Sequence, residues 1–389
     1  MNSISASSTI FAGVPQNNSA LFRAVQFSVG DPVALLNIVD SSSRQTSILI
    51  VRDIEMERAR KVVDVDHVSC PADFTPDGGL SPDREVATAQ GAAECLRQHG
   101  VTSVTADRTL PLTFSHVLNQ AGIEVICDLE MGVFERRQKT DQEIEHLRKA
   151  QNVTEQAIRL ACEMVAHSDA HQDGSLHLDG SPLTSERVRG AASVFLMEQG
   201  FTGPTYIIAG GPQGADCHNT GSGQIYTEQP VIVDIFPTNM ATHYCGDCTR
   251  TVVHGKIPDE LIKMNEAVRI AKTAGCNALR PGVAGKEVHA ATTAVLLERG
   301  YHTGFPPDEA DESYCTMHHG TGHGIGLDVH EPPLLDPTGI PLLKGDVLTV
   351  EPGLYQKNLG GVRVEDMVVV TEDGYINLNQ LPEGLDWKS

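Results

Sequence analysis

The sequence predicts a two-domain protein in which a smaller α/β domain precedes a larger α+β domain. The chain has 389 residues, which is more than one ordinary hydrophobic core holds. Short apolar runs alternate with helical stretches over residues 22–133. In the C-terminal half, strand-like runs follow one another without regular helical crossovers. We place the boundary near residue 137, which gives domains 1–137 and 138–389.

The first domain is predicted from the alternation of its elements. Four β-branched or apolar runs are typical of strands, namely VALLNIV, TSILIV, VTSVTA and EVICD. Two stretches are typical of helices, IEMERARKVV and VATAQGAAECLRQHG, and the second ends at Gly100. No group of metal-ligand or nucleophile residues stands out here. We therefore expect a packing or substrate-shaping domain.

The second domain opens with a predicted helix. Thr140 followed by Glu143 has the spacing of a capping box, and apolar residues recur at helical intervals after it. The segment HSDAHQDGSLHLDGS predicts a loop with a small hairpin, because its Asp-Gly pairs favour turns. Its histidines and aspartates leave a second metal site open as a less favoured alternative. A second helix is capped by Ser181 or Thr184 and ends at Gly200, and two more cover residues 259–279 and 285–300.

Composition narrows the function classes. Hydrophobic residues make up 40% and charged residues 21%, as in ordinary globular proteins, and the net charge of −22 argues against nucleic acid as a partner. Nine cysteines at irregular spacing are typical of reduced thiols. The N-terminus lacks the pattern of a secretory signal, and no apolar run reaches the roughly 18 residues of a membrane span. We expect a soluble, cytoplasmic protein without a membrane partner.

Four carboxylates and one imidazole lie on or beside strand-like runs in the C-terminal half. They are Asp234, Asp247, His323, Glu351 and Glu365. A buried carboxylate stays ionised only when a cation compensates it, and no lysine or arginine cluster lies nearby in sequence. Hard divalent cations prefer oxygen ligands, so the set predicts a pair of metal ions and metal-assisted hydrolysis. Manganese is the first candidate, with cobalt, zinc or iron as alternatives.

Strand parity orients the neighbours of these ligands. Residues two apart in a strand share a face, so Arg363 should point the same way as Glu365. The same rule places Cys245 with Asp247 and leaves Cys248 on the opposite face. The two thiols of this CxxC pair should therefore point in different directions. Ordinary packing is then a better interpretation of the pair than a redox or zinc role.

Histidines and glycines are concentrated in MHHGTGHGIGLDVHEPP, which contains His318, His319, His323 and His330. Glycines let the backbone approach a site closely. The segment has no HExxH pattern, so a helical zinc-protease arrangement is excluded. A second Gly-rich segment, AGGPQGADCHNTGSG, lacks the ending of a phosphate-binding loop, and its His218 is open to either a functional or a surface-loop interpretation.

The strings VDIF…GDCTRTV, HHGTGHGIGLDVHE, TVEPGLY and GVRVED together resemble the metal-binding motifs of the pita-bread metallopeptidases. This superfamily includes aminopeptidase P, prolidase and methionine aminopeptidase, with creatinase as a metal-free relative. The resemblance covers residues 140–371, with the motifs in the family order. It implies a pita-bread catalytic domain preceded by a creatinase-like α/β domain, and the segment RRQKTDQEIEHLRKA resembles the start of that catalytic domain.

The resemblance also implies roles for single residues. Asp234 would chelate one metal, and Asp247 and Glu365 would bridge both. His323 and Glu351 would complete the other shell, and Glu351 would also accept a proton from the attacking water. The matching histidines His218, His319 and His330 would bind substrate and stabilise the tetrahedral intermediate, and Tyr355 and Arg363 match supporting positions of the proline-directed members. The resemblance implies a homodimer as well.

The expected activity is removal of the N-terminal residue from a peptide substrate, with proline after the scissile bond. An Xaa-Pro dipeptidase is the alternative, and a non-catalytic peptide-binding or partner-binding relative is less favoured because all five ligands are present. Methionine aminopeptidase is disfavoured by the large first domain. The chain departs from the family at Asp234-Ile-Phe-Pro, where D-x-G is usual, and the following loop is about two residues longer than usual. Phe236 and Pro237 should therefore reshape the pocket.

Overall fold

The computed structural model describes residues 7–40 and 42–388. These residues divide into two compact units, unit 1 up to Arg136 and unit 2 from Arg137 onwards. A short helix that we number α5 (Phe134–Arg137) spans the border in sequence. Each unit has its own hydrophobic clusters.

Unit 1 is a six-stranded mixed sheet in the order β4-β3-β2-β1-β5-β6. Its strands are β1 (Thr9–Gly13), β2 (Val33–Val39), β3 (Gln45–Ile50), β4 (His67–Ser69), β5 (Ser103–Asp107) and β6 (Glu124–Asp128). Its helices are α1 (Ser19–Val25), α2 (Met56–Val62), α3 (Arg84–Gln98) and α4 (Leu112–Gln120). All four predicted strands and both predicted helices are present, whereas β1, β4, α1 and α4 were not predicted.

Both faces of this sheet are buried. Along β2, Leu36 and Ile38 pack into the cluster that contains α3 and α4, while Val33 and Leu35 pack into the cluster that contains α1 and α2. Alternate residues of a strand point to opposite faces. This explains why VALLNIV is continuously apolar and does not alternate.

Unit 2 contains most of the strands, in small antiparallel sheets. The strands are β7 (Asp169–Ala170), β8 (Leu176–Leu178), β9 (Ser181–Pro182), β10 (Phe201–Thr202), β11 (Ile207–Gly210), β12 (Pro230–Ile235), β13 (Thr238–Asn239), β14 (Cys248–Val253), β15 (His302–Thr303), β16 (Cys315–Met317), β17 (Gly322–Gly324), β18 (Glu331–Leu335), β19 (Val347–Val350), β20 (Gly353–Gln356), β21 (Gly360–Arg363), β22 (Asp366–Val370) and β23 (Tyr375–Asn377). The helices are α6 (Asp141–Ala166), α7 (Ser185–Glu198), α8 (Asp259–Ala278) and α9 (Gly285–Glu298).

Three sheets of unit 2 position the site. They have the orders β11-β12-β14, β15-β16-β20-β21 and β18-β17-β19-β22-β23. Every pair in them is antiparallel except β15 with β16. The predicted α+β class of this domain is confirmed, and the predicted hairpin forms the separate sheet β7-β8-β9.

The helix α6 begins at the predicted capping box. Thr140 Oγ1 accepts from Glu143 N at 3.3 Å, and Glu143 Oε2 accepts from Thr140 N at 2.7 Å. The buried face of α6 packs on β12 and β14. Residues near the end of the chain complete this core, because Leu381 and the single tryptophan, Trp387, are buried in the same cluster.

Candidate metal centre

Strand β12 places Asp234 in a pocket, because alternate residues of the strand point to opposite faces. Val231, Val233 and Ile235 point into the core under α6, while Ile232 packs on the other side against Tyr355. Asp234 shares the face of Ile232 and lines the pocket, as predicted from its position in VIVDIF. One strand therefore serves the core with one face and the site with the other.

Asp247 is held by the helix α6. Gln151 is fully buried, and it donates from Nε2 to Asp247 O at 2.7 Å and accepts from Asp247 N at Oε1 at 2.9 Å. Gly246 lies so close to α6 that a Cβ there would be 2.1 Å from Thr154 Oγ1 and 2.9 Å from Ala150 O. The backbone of Asp247 is thus fixed by a side chain 96 positions away in the sequence.

Arg363 and Glu365 both line the pocket, although the run GVRVEDMVVV is not one strand. Strand β21 ends at Arg363, and β22 begins at Asp366 in a different sheet. Glu365 therefore lies in the connection, where its Oε2 accepts from Thr249 Oγ1 of β14 at 2.7 Å. The prediction of a continuous strand is wrong, but the shared orientation of Arg363 and Glu365 is observed.

His323 lies at the centre of β17 between two glycines. A Cβ at Gly322 would be 2.0 Å from Thr349 O, and one at Gly324 would be 2.5 Å from Glu331 O. These contacts explain the Gly-rich sequence, since only glycine allows the neighbouring strands to approach so closely. His323 Nε2 lies 3.5 Å from Glu351 Oε1 and 3.7 Å from Asp247 Oδ2.

The four carboxylates converge, and they disfavour one another's ionisation. Burial raises the pKa of Asp247 well above its ordinary value, and the charges of Glu365 and Asp234 raise it further. Burial likewise raises the pKa of Glu365, with Glu351 and Asp234 adding to the effect. Burial raises the pKa of Glu351 to about 7 against the opposing influence of Arg363. The cluster holds more negative charge than the protein alone compensates.

The donor set fits divalent cations. His323 Nδ1 lies 3.1 Å from Gly324 O, and since a carbonyl can only accept, Nδ1 carries the proton and Nε2 presents a lone pair to the carboxylates. Burial lowers the pKa of His323, which keeps the ring neutral. Asp247, His323 and Glu365 each offer a ligand atom within 4.8 Å of the others, and Asp234 Oδ1 is buried without a partner among the described residues. Cations between these lone pairs would satisfy them.

Two histidines face the pocket with nitrogens available. His330 is exposed, its ring centroid lies 4.3 Å from that of His323, and it makes no hydrogen bond within the described part of the chain. His218 is also exposed and lines the pocket, with its Nδ1 3.8 Å from Cys217 Sγ. Burial and His323 lower the pKa of His330. Both side chains can therefore reach a bound molecule.

His319 differs from these two, because both of its ring nitrogens already have protein partners. Nδ1 lies 2.7 Å from Gly320 O, and Nε2 lies 2.8 Å from the hydroxyl of Tyr355. Tyr355 in turn accepts from Arg363 Nη1 at 2.9 Å, and Arg363 Nη2 donates to Asp234 Oδ2 at 2.7 Å. The three residues form one chain of hydrogen bonds that ends on a candidate ligand. They orient the site instead of offering free donors to it.

The departure at Asp234-Ile-Phe-Pro forms part of the pocket wall. The ring of Phe236 lines the pocket and packs edge-on against Tyr206, with centroids 5.7 Å apart and an interplanar angle of 83°. Pro237 O accepts from Gly246 N at 2.9 Å, which closes the loop before Asp247. The pocket has a volume of about 330 Å³. Its apolar wall is formed by Ile207, Phe236, Val329 and Leu334.

The structure does not support the two less favoured metal sites, the Cys245/Cys248 pair and the histidine-containing hairpin. Cys245 Sγ contacts Thr238 and Leu327, whereas Cys248 Sγ contacts Asn379 and Glu365 O, so the thiols diverge as expected. Cys245 itself precedes β14 and does not belong to the predicted strand. In the hairpin, His171 and His177 stack with centroids 3.5 Å apart, but within the described ranges no three donors of that segment come together as a metal site would require.

Two buried ion pairs formed by the basic run RRQK were missed by sequence reasoning. Lys139 pairs with Glu331, which follows His330, and Arg137 pairs with Asp346 at 2.7 Å. The basic run RRQK was the available signal, but its partners lie 192 and 209 positions away. The hydrogen bonds of Gln151 to Asp247 could not be predicted, because no sequence pattern marks this residue.

A family comparison identifies the class to which this fold and site belong. The sequence profile of metallopeptidase family M24 matches residues 145–372, which is more than half of the chain. The chain belongs to metallopeptidase family M24. The pita-bread architecture expected from the motifs is thereby confirmed, as is the relation to aminopeptidase P and prolidase.

Curated relatives match part of the chain. A probable dipeptidase PepE from Mycobacterium tuberculosis is 33% identical over 192 residues, 49% of this chain and 48% of that protein. An Xaa-Pro dipeptidase from Pyrococcus furiosus is 32% identical over 241 residues, 61% of each chain. The chain thus spans about half to three fifths of the length of these curated relatives.

Solved structures match over nearly the whole chain. The X-Pro aminopeptidase from Thermotoga maritima has a TM-score of 0.79 at 22% identity and covers 97% of this chain and 96% of its own. The prolidase from Pyrococcus horikoshii has a TM-score of 0.75 at 22% identity, with coverage of 97% and 95%. At this identity the likeness concerns the fold.

Across residues 7–40 and 42–388, no helix has both the length and the apolar character that crossing a membrane requires.

Proposed function

We propose that the protein is a metal-dependent aminopeptidase that hydrolyses the bond after the N-terminal residue of a peptide, with proline as the second residue. The observation that carries this proposal is the convergence of Asp247, Glu351 and Glu365 on the lone pair of a neutral imidazole, in a pocket that Asp234 also lines. Membership of family M24 and relatives named Xaa-Pro dipeptidase and X-Pro aminopeptidase support the substrate class.

Asp234, Asp247, His323, Glu351 and Glu365 would hold two divalent ions. Such ions, when bound, supply Lewis-acid polarisation and lower the pKa of water to near neutrality. We favour manganese, because four of the five side chains are carboxylates, with cobalt, zinc or iron as alternatives. Asp247 and Glu365 are placed most deeply among the other carboxylates, which suits a bridging role.

Glu351 is the residue that we assign to proton transfer. Its carboxylate lies at the pocket, a fifth exposed, and accepts weakly from Thr349 Oγ1 at 3.4 Å. Glu351 would take a proton from the attacking water and pass it to the leaving nitrogen.

His218 and His330 would act on the substrate. Each presents an imidazole to the pocket that can donate to the carbonyl oxygen as negative charge develops on it, a role worth about 3–4 kcal/mol per donor. His319, Tyr355 and Arg363 would instead hold Asp234 in place through their shared hydrogen bonds. Loss of that chain should misplace the ligand and not only weaken substrate binding.

The charges of the pocket favour an aminopeptidase over the alternative, a dipeptidase. A dipeptidase must bind a free carboxylate close to the scissile bond. Of the described residues that line the pocket, Arg363 has the only guanidinium, and no lysine lines it. The Arg363 guanidinium already bonds to Asp234, Thr249, Tyr355 and Cys217 O. The apolar wall with Phe236 and Val329 suits a proline ring, which has no N–H to satisfy.

The test uses three peptides and the protein stripped of metal and then loaded with manganese or cobalt. We expect Ala-Pro-Ala-amide to be cleaved at least about tenfold faster than the dipeptide Ala-Pro, and Ala-Ala-Ala-amide to be the slowest. Glu365→Gln should lose both bound metal and turnover, while Glu372→Gln, an exposed carboxylate elsewhere, should keep both. Faster cleavage of the dipeptide would support the dipeptidase alternative, and no hydrolysis of any peptide would refute the proposal.

We extend the proposal to a homodimer in the cytoplasm. All nine cysteines are free thiols, and eight of them are buried, which suits a reducing compartment. Sedimentation of the purified protein would test the dimer.

A further inference from the structure

A second cleft lies directly beside the pocket, and the proposed function does not use it. Asp216 and His318 line the cleft, while their sequence neighbours Cys217, His218 and His319 line the pocket. The ring of Tyr355 lines the cleft as well, and its hydroxyl bonds to His319. The cleft has a volume of about 530 Å³, which is larger than the pocket.

One wall of the cleft is the loop GFPPDEADESY, residues 304–314. Phe305 is 82% exposed, and its ring lies 5.8 Å from that of His318 at an angle of 25°. Two prolines follow it and restrict the backbone, so the aromatic ring is presented at the cleft by a stiff segment. A large exposed aromatic side chain at a cleft is typical of a binding surface.

The charge of the cleft is strongly one-sided. Asp216, Asp308 and Asp311 line it, and no described contact satisfies the carboxylate of Asp308. Lys357 is the one ammonium group among its described lining residues, and it is paired with Glu312 at 3.8 Å. The cleft therefore attracts cations and repels carboxylates.

An aminopeptidase fixes which part of a peptide reaches this cleft. The N-terminal residue must stay in the pocket, so only residues after the scissile bond can extend into a neighbouring cavity. An extended chain advances about 3.3 Å per residue, so the residues that follow proline can extend into a cleft directly beside the pocket.

We propose that this cleft binds the downstream part of the substrate and selects peptides with lysine or arginine two or three residues after proline. This inference rests on the proposed function and adds a substrate class to it. Phe305 would pack against the stem or the backbone of those residues, and Asp216, Asp308 and Asp311 would pair with their charged ends.

The test compares three amidated peptides, Ala-Pro-Gly-Lys-Lys, Ala-Pro-Gly-Gln-Gln and Ala-Pro-Gly-Glu-Glu, by release of free alanine. Exposed ion pairs each change binding by at most about fivefold. We expect kcat/KM to be about tenfold higher for the lysine peptide than for the glutamate peptide at low salt, mainly through KM. At about 1 M salt, where the Debye length is about 3 Å, the ratio should approach one.

Two variants tie the preference to the cleft. Asp308→Lys should reduce the lysine-to-glutamate ratio to about one or invert it, and Phe305→Ala should raise KM for all three long peptides. Asp373→Asn, an exposed carboxylate outside the cleft, should leave the ratio unchanged. Equal rates for the three peptides in an active enzyme, or an unchanged ratio in Asp308→Lys, would overturn this inference alone. No hydrolysis of any peptide would overturn the proposed function and this inference with it.

Discussion

Replacing Gln151 with methionine tests whether a distant side chain holds the candidate metal centre together. Gln151→Met keeps the length of the side chain but removes both of its hydrogen bonds to the backbone of Asp247, and both of those backbone groups are buried. Each unsatisfied buried group costs about 1–3 kcal/mol, partly offset here by the burial of an apolar side chain. Gln151 Nε2 also donates to Asn379 Oδ1 at 2.9 Å, but that oxygen still accepts from Met367 N at 2.8 Å when Gln151 is replaced. We expect unfolding to become easier by about 2–4 kcal/mol.

The assay can follow unit 2 by itself. Trp387 is the single tryptophan, and it is buried in the core under α6, so its fluorescence during urea unfolding reports this unit. Gln156→Met on the same helix is the matched control, because Gln156 is exposed and bonds within one turn to Asn152. The control should stay within about 0.5 kcal/mol of the unchanged protein. A Gln151→Met protein as stable as the control would refute the argument that Gln151 holds Asp247.

Three further outcomes follow from the site. In metal-free protein the pKa of Glu351 is raised to about 7, so its protonated carboxyl stabilises unit 2 fully below about pH 4.5. The free energy of unfolding should fall by about 2–3 kcal/mol as the pH rises towards 7, and partial exposure of the carboxylate keeps the fall from being larger. Glu351→Gln should flatten this pH profile. Asp247→Asn should raise the melting temperature of the metal-free protein, because it removes a charge that the other carboxylates repel. It should lower the melting temperature of the metal-loaded protein, because a ligand is lost. Calorimetry with and without manganese would contradict this if both shifts had the same sign. Gly246→Ala should destabilise unit 2 by about 1–3 kcal/mol because its Cβ meets Thr154, and Thr154→Ala should partly restore stability in the double variant, as urea titration would show.

The parts of the fold that follow local rules were predictable from the sequence. The capping box of α6, the glycine endings of α3 and α7, and the strands of unit 1 with strongly apolar runs depend on neighbours within a few residues. The strand β1 and the helix α1 were missed because TIFAG and SALFRAV are short and lack a clear period. For β1, pairing with β2 and β5 decides the structure, and no local pattern encodes that pairing.

The candidate site divides in the same way. Asp234 and Glu351 could be singled out because a charge inside or ending an apolar run is locally unusual. The clamp by Gln151 could not, since a glutamine on a helix has no local sign of its partner. Whether the ring nitrogens of a histidine have hydrogen-bond partners could not be predicted either. His319 and His330 look alike in sequence, yet both nitrogens of His319 have protein partners, whereas His330 faces the pocket without one among the described residues.

The position of residues 381–387 in the core of unit 2 has a consequence for folding during synthesis. Leu381 and Trp387 complete the cluster under α6, Leu385 O accepts from Val253 N at 3.0 Å, and Pro382 O accepts from Arg250 Nε at 2.9 Å. A growing chain lacks these contacts until residues 381–387 have left the ribosome. Unit 1, whose clusters are built from residues before 137, can fold while the rest is still being translated. The carboxylates gathered by β12 and β14 would thus reach their final arrangement only after residues 381–387 have emerged.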